Sequence, residues 1–226
     1  MLRACVFDLD GTLADTLPTV HHYCCASLAH FGLAPVTLDQ CRGLCRLSIA
    51  QFYPQLLRLG GCPEGRIEEL REPIRKYDLD SYLKDIFYLT RPYPGIKELL
   101  ERLKELGVAR AVLTNKPAPL AQALMGALFP GLLDEIAGQT PESVSKPDPR
   151  SLTGLLDRLG VDRESCLYAG DSDVDMITAR DAGVSACAVT WGYQTREELS
   201  LFSPAWFAGS AEELLDICRR LSADNE

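Results

Sequence analysis

The chain reads as an α/β protein in which a doubly wound parallel sheet is interrupted near its start by an inserted helical domain. Three observations predict this. From Ile96 onward, short apolar runs alternate with stretches of helical periodicity, a pattern that implies parallel strands joined by helices. The interval from about Thr16 to about Leu89 carries helical signals and no convincing strand. The length of 226 residues is enough for a core domain and a smaller second one. The expected division is a core formed by residues 1–15 and 90–226, with a helical cap over 16–89.

Each element has its own justification. Ala4-Cys5-Val6-Phe7 is an apolar run leading straight into Asp8, as a fully buried strand would if its end opened into a site. Pro18 suits a first helical turn, and Val20, Cys24, Leu28 and Phe31 mark one face of a helix that Gly32 ends. Thr37-x-x-Gln40 and Ser48-x-x-Gln51 read as capping boxes that begin two further helices, and a fourth is expected from Glu64 to Tyr77. Arg91-Pro92-Tyr93-Pro94-Gly95 reads as a stiff return linker. Ile96, Leu99, Leu100 and Leu103 then form a helical stripe before the strand Val108–Leu113, which delivers Thr114-Asn115-Lys116-Pro117. A further strand passes through Ile136-Ala137-Gly138 into Ser145-Lys146-Pro147-Asp148, followed by a helix to Gly160. Cys166–Ala169 is a short strand delivering Gly170-Asp171-Ser172-Asp173-Val174-Asp175, with a helix to Gly183. Val184–Val189 is the next strand, running into Trp191-Gly192-Tyr193. The last helix begins at the capping box Ser210-x-x-Glu213, and the tail after Ser222 is expected to be loose.

Composition narrows the function. Apolar content of 46% and charged content of 24% are those of a globular protein, and no run approaches the length of a membrane span. Asp8 and Asp10 interrupt the first apolar run before it could serve as a signal peptide, so the expected location is the cytoplasm. Nine cysteines without a Cys-x-x-Cys pair read as free thiols. The spacing of His21 with Cys25, and of Cys41 with Cys45, would suit a zinc site, although small core thiols account for it better. A formal charge of −9 argues against a nucleic-acid surface. An anionic substrate would therefore need local positive charge from a metal or from a few placed lysines and arginines.

Polar loops after three apolar strands, at Asp8, Thr114 and Asp171, would converge on one rim of such a sheet, where ligands bind in open α/β folds. Asp8 and Asp10 lie two residues apart, so they repel unless a cation sits between them or one keeps its proton. Gly11 permits a tight turn, and Thr12 adds a hydroxyl and an N–H. The acids at 171, 173 and 175 do not start a calcium-binding helix-loop-helix, because Met176 and Ala182 stand where that loop needs Gly and Glu.

The ordered set Asp8-x-Asp10-Gly11-Thr12, Thr114-Asn115-Lys116-Pro117, Lys146-Pro147 and Gly170-Asp171-Ser172-x-x-Asp175 resembles the four motifs of haloacid dehalogenase superfamily phosphatases. Thr114–Pro117 and Val189-Thr190-Trp191-Gly192-Tyr193 look most like the phosphoglycolate phosphatase branch. The resemblance implies a Rossmann-like core with a mobile helical cap, and a small phosphorylated metabolite as substrate, with neither nucleic acid nor membrane as partner. It implies Mg²⁺ held by the Asp8 carboxylate, the Asp10 backbone carbonyl and Asp171, with Asp175 holding the shell or its waters. Asp8 would be the nucleophile and Asp10 the general acid and base. Thr12, Thr114 and Asn115 would meet the phosphoryl group, and Lys146 would offset the negative charge around Asp8. An acid at position 10 goes with phosphate ester chemistry in this superfamily, and the absence of lysine between Asp15 and Lys76 sets aside the phosphonate-cleaving branch. In the cap, Arg42-Gly43-Leu44-Cys45-Arg46 is expected to approach the core, with Arg42 or Arg46 pairing a substrate carboxylate. A sugar phosphomutase, a pyrophosphatase or a nucleotide phosphatase would use the same core. A non-enzymatic phosphate-binding protein is the alternative from another class.

Overall fold

A computed structural model describes residues 1–223. Along the chain the elements are β1 (Ala4–Phe7), β2 (Ala14–Asp15), α1 (Leu17–His30), α2 (Leu38–Leu44), α3 (Ile49–Leu59), α4 (Glu64–Tyr82), β3 (Arg91–Pro92), α5 (Ile96–Glu105), β4 (Ala109–Pro117), α6 (Ala118–Leu128) and β5 (Glu135–Gln139). There follow α7 (Arg150–Leu159), β6 (Cys166–Gly170), α8 (Asp173–Ala182), β7 (Ser185–Val189), α9 (Arg196–Ser200), β8 (Trp206–Ala208) and α10 (Ala211–Ala223). Six strands form one sheet in the order β5-β4-β1-β6-β7-β8, every pair parallel.

Side chains of β1 alternate between two cores. Cys5 and Phe7 join Leu99, Leu103, Leu124 and Leu214 from α5, α6 and α10 on one face. Ala4 and Val6 join Leu152, Leu155, Met176 and Ala179 from α7 and α8 on the other. A strand covered on both faces must be apolar throughout, which is why β1 reads as an unbroken hydrophobic run. In register, Val6 lies between Ala111 and Tyr168, so β1 is central, and the chain turns first to β4 and later to β6. That reversal opens a crevice at the carboxyl ends of the three strands.

The helices α1–α4 lie between β2 and β3 and bury a separate core around Leu28, Leu44, Leu56, Leu57 and Ile74. The expected linker is more ordered than a stiff loop, because Arg91 and Pro92 pair antiparallel with Asp15 and Ala14. The two crossings between core and insertion therefore run side by side as a ribbon. Thr37 and Gln40 form their capping box. Ser48 and Gln51 do not: the Ser48 hydroxyl turns to Gln51 Oε1, and the free N–H of Ile49 donates instead to Gln139 Oε1 of the core at 2.9 Å. At α10 half of the expected box forms, since Ser210 Oγ accepts the Glu213 N–H while the Glu213 carboxylate takes the N–H of Gly209.

Helix α4 runs to Tyr82 rather than to Tyr77 because Asp78, which breaks the apolar stripe in the sequence, is buried and bonded to Ser27 and Tyr53. Strand β8 and helix α9 carry no periodic signal long enough to read. Ser222 and Ala223 belong to α10, and the rest of the tail expected to be loose lies outside the described residues. Among the described residues, no helix is long and apolar enough to cross a membrane.

Candidate active site

Strands β1, β4 and β6 bring Asp8, Thr114 and Asp171 to one rim of the sheet. The Asp8 N–H donates to the Ala169 carbonyl at 2.9 Å, so this residue is still pinned by the sheet. Its Oδ1 accepts the Leu9 N–H at 2.7 Å and lies 2.9 Å from the Lys146 ammonium. Lys146 also reaches Asp175 Oδ1 at 2.6 Å. Asp175 stands on the first turn of α8, where it completes a capping box with Ser172 and accepts the Tyr168 hydroxyl at 3.0 Å.

Asp171 is held from the opposite side. Thr12 Oγ1 donates to one oxygen at 2.9 Å and the Tyr193 N–H to the other at 2.7 Å. A Cβ at Gly11, whose φ is +86°, would come within 2.2 Å of Asp171 Oδ2, and one at Gly192 within 2.3 Å of Asp171 Cβ. Only a chain without side chains at these two points lets the loops close on the carboxylate. Trp191 ties the same layer together by donating to the Thr12 carbonyl at 3.0 Å.

Asp8, Asp171 and Asp175 each place one oxygen within 4.8 Å of the others. Among the described residues they are the only group of three or more side chains of metal-ligand type so arranged. His21 and Cys25 are not gathered with the other thiols into such a group, and the His21 Nε2 is engaged with the Val36 carbonyl at 2.9 Å.

Charge at this rim is out of balance. With all four ionised, the carboxylates of Asp8, Asp10, Asp171 and Asp175 would outnumber the two ion-pairing lysines, Lys146 and Lys116, by two charges. Burial pushes Asp8 up to about 7, with Lys146 pulling it down and Asp175 and Asp10 pushing it up. Asp171 lies well above the ordinary carboxylate range through burial and the nearby Asp175 and Asp8, against the Tyr193 and Thr12 bonds. Lys146 loses solvation on burial, yet the charges of Asp175 and Asp8 hold it above the usual lysine value. A divalent cation would supply the missing charge, and three carboxylates are the hard oxygen donors that Mg²⁺ takes.

Asp10 points toward the insertion. Its Oδ1 accepts the Lys116 ammonium at 2.9 Å and the Thr16 hydroxyl, which lies 3.1 Å from the Tyr193 hydroxyl. Thr114 is buried beside it, its hydroxyl accepting the Lys116 N–H at 3.1 Å. The Asn115 side chain braces the Lys146 loop, donating to the Lys146 carbonyl at 3.0 Å and accepting its N–H at 2.9 Å. These groups enclose a chamber of about 10 Å³ lined by Asp8, Asp10, Thr114, Asn115, Lys146 and Arg46.

Two expectations are corrected by these positions. The Thr12 hydroxyl is engaged by Asp171 and fully buried, so it positions a carboxylate and does not face the chamber. Arg42 is directed outward, paired with Asp39 one helical turn away at 2.9 Å on an exposed face. Arg46 does reach the rim, but through an ion pair with Asp173 at 2.9 Å that bridges insertion and core. Lys116 and Tyr193 were not singled out by sequence reasoning, although both lie inside motif phrases that were.

Comparison with known proteins agrees with this geometry. The family model for haloacid dehalogenase-like hydrolases matches residues 5–189. An N-acetylmuramic acid 6-phosphate phosphatase of Pseudomonas aeruginosa is 34% identical over 99% of this chain and 97% of its own. Phosphoglycolate phosphatase 1 of the same organism is 32% identical over 94% of this chain and 78% of its own. Among solved structures, a haloacid dehalogenase-like family hydrolase of Streptococcus pneumoniae superposes with a TM-score of 0.80 at 25% identity, covering 96% of this chain and 98% of that one. The carboxylate cluster, the fold and these likenesses converge: the chain belongs to the haloacid dehalogenase-like hydrolase family and is an enzyme of its phosphatase type.

Proposed function

We propose that the enzyme hydrolyses a small phosphate monoester, with Mg²⁺, through an aspartyl-phosphate on Asp8. The observation that carries this reading is the setting of Asp8, pinned by the sheet at the rim with Oδ1 occupied by Leu9 and Lys146, so that Oδ2 is the oxygen left for attack. Asp8, Asp171 and the Asp10 backbone carbonyl would hold the metal. Asp175, whose oxygens are taken by Lys146, Tyr168 and Ser172, would support the shell. When bound, Mg²⁺ supplies the positive charge that lets a carboxylate approach an anionic phosphoryl group.

The remaining work falls to the chain. Asp8 Oδ2 forms a bond to phosphorus as the ester oxygen departs, and Asp10 gives that oxygen its proton. Water then attacks the same phosphorus, its proton passes to Asp10, and Asp8 is released with inorganic phosphate. Thr114, the Asn115 N–H and Lys146 neutralise and orient the phosphoryl oxygens. The insertion α1–α4 acts as the cap, and the paired crossings β2 and β3 are where it would hinge. Phosphoglycolate and N-acetylmuramic acid 6-phosphate, the compounds named for two relatives, are the first esters to assay. Nine free thiols suit a reducing compartment, and we place the enzyme in the cytoplasm.

The test is phosphate release from an aryl phosphate. Turnover is expected with Mg²⁺ and absent with a chelator or in Asp8→Asn. Undiminished release by a deamidation-free Asp8→Asn protein would overturn the nucleophile.

A further inference from the structure

Beside the phosphoryl chamber lies a second one of about 50 Å³ beneath the cap, which shares Asp10, Asn115 and Cys45 with it. Asp10, the proposed donor to the departing oxygen, stands between the two, so the second chamber is where the alcohol part of the ester would sit. Most of its wall is apolar, from Val20, Leu47, Ile49, Phe52 and Leu120. Three polar features break that wall. Lys116 is already bound to Asp10, and its ammonium lies 5.0 Å from the centre of the Tyr82 ring. Asp78 is buried, accepts the Ser27 and Tyr53 hydroxyls at 3.0 and 3.1 Å, and among the described residues has no ion-pair partner. The Tyr82 hydroxyl is buried and closes no hydrogen bond of good geometry, with the polar groups of Thr90 and Lys116 close by.

A buried carboxylate without a cation and an orphaned hydroxyl each cost free energy. Each carboxylate oxygen of Asp78 has capacity for one more donor, and the Tyr82 hydroxyl can both donate and accept. Burial lifts Asp78 to about 6, against the Ser27 and Tyr53 hydroxyl bonds and the charge of Lys116. A second carboxylate in this chamber would meet Asp78 in a low-dielectric space, and the one cation among the described lining residues, Lys116, is already paired with Asp10.

We infer that the chamber selects an uncharged, hydroxyl-bearing alcohol as the leaving group, with Asp78 rejecting esters that carry a carboxylate beside the phosphate and Tyr82 binding a substrate hydroxyl. This inference rests on the phosphatase reading above and deepens it. Phosphoglycolate, whose carboxylate is one carbon from the ester CH₂ oxygen, is on this account a poor substrate, and a neutral polyol or sugar phosphate a good one.

A matched pair of small esters tests it: 2-phosphoglycolate and 2-hydroxyethyl phosphate, alike in size and different in the carboxylate. For the wild-type enzyme kcat/KM is expected to favour 2-hydroxyethyl phosphate at least tenfold. Asp78→Asn should shift that ratio toward phosphoglycolate by about tenfold, and the ratio is internal to each protein, so a general loss of folded enzyme cancels. Tyr82→Phe should lower the advantage of 2-hydroxyethyl phosphate over ethyl phosphate. A wild-type preference for phosphoglycolate, or a ratio that Asp78→Asn leaves unmoved, overturns the inference while the phosphatase reading stands. Failure of the wild-type enzyme to turn over any aryl phosphate with Mg²⁺ would overturn both.

Discussion

The two chambers on either side of Asp10 are built on opposite plans. On the core side nearly every polar atom is engaged: Asp8, Asp171 and Asp175 are each fixed by two or more donors, and what is left over is net charge. On the cap side the wall is mostly apolar, and what is left over is individual groups, the Asp78 carboxylate and the Tyr82 hydroxyl. A site that must stabilise one charge distribution in every turnover benefits from rigid, fully braced donors. A surface that distinguishes one alcohol from another needs only a few polar atoms whose partners are supplied by the right ligand. Under the proposed function, the difference separates chemistry, assigned to the core rim, from choice, assigned to the cap.

The sharpest way to break this division is at Asp8. Asp8→Asn keeps the shape of the side chain and removes the proposed nucleophile, so phosphate release should fall to background for every ester alike. An effect confined to some esters would mean that the core side also chooses.

Asp10 stands on the boundary, and its replacement should affect both sides. Asp10→Asn is expected to slow turnover by roughly a hundredfold or more, the usual contribution of a general acid and base. The loss should be smaller for aryl esters, whose leaving groups need little protonation. Equal losses for aryl and alkyl phosphates, once breakdown of the intermediate is shown not to limit the rate, would count against the acid role.

The unmatched charge of the core side predicts a dependence on pH. Asp8 binds its proton more tightly in the folded chain, at about 7, than in the unfolded chain near 3.8. Its contribution to stability is therefore fully present below pH 3.8 and is lost as pH rises through 7, by on the order of 4 kcal/mol at most. The metal-free protein should show a falling urea midpoint across that window, and millimolar Mg²⁺ should restore more stability at pH 8 than at pH 5. A Mg²⁺ effect independent of pH would show that the carboxylates are already paired without the ion.

The smallest effects belong to the cap arginines. Arg46→Ala removes a half-exposed bridge from cap to core and should lower kcat/KM by about 1 kcal/mol or less, similarly for charged and neutral esters. Arg42→Ala, on the outer face, should be indistinguishable from wild type. A selective loss for carboxylated esters in either variant would return substrate choice to these residues.

Much of the core was legible because its signals are local. Ala4–Phe7 followed by Asp8, or Gly170 followed by Asp171, states in a few residues that a buried strand ends in a carboxylate, and the order of such phrases along the chain is enough to gather them on one rim. The cap was legible only as helices. Thr37 and Gln40 announced both a start and its capping box; Ser48 and Gln51 announced the start of α3 without the box, because the Ser48 hydroxyl turns to the Gln51 side chain while the neighbouring Ile49 N–H finds Gln139, ninety residues away. Asp78 looked like a helix end because a charged residue in a stripe ordinarily faces water; its burial depends on two hydroxyls from α1 and α3 that no spacing reveals. Thr12 and Arg42 lie away from the chamber for a related reason: their types suited an anionic substrate, and only packing decided which partner each one met.

What the sequence determined by itself was the parallel sheet, the insertion and the gathering of acids at one rim, since hydrophobic periodicity and short motifs act through neighbouring residues. What only the tertiary structure decided was the pairing of Lys116 with Asp10, the bracing of Asp171 by Thr12 and Tyr193, and the unpaired Asp78 and Tyr82 under the cap. Hydrogen bonds and ion pairs are short-ranged and directional, so their partners are settled by which elements come within about 3 Å of one another, a property of the folded chain alone.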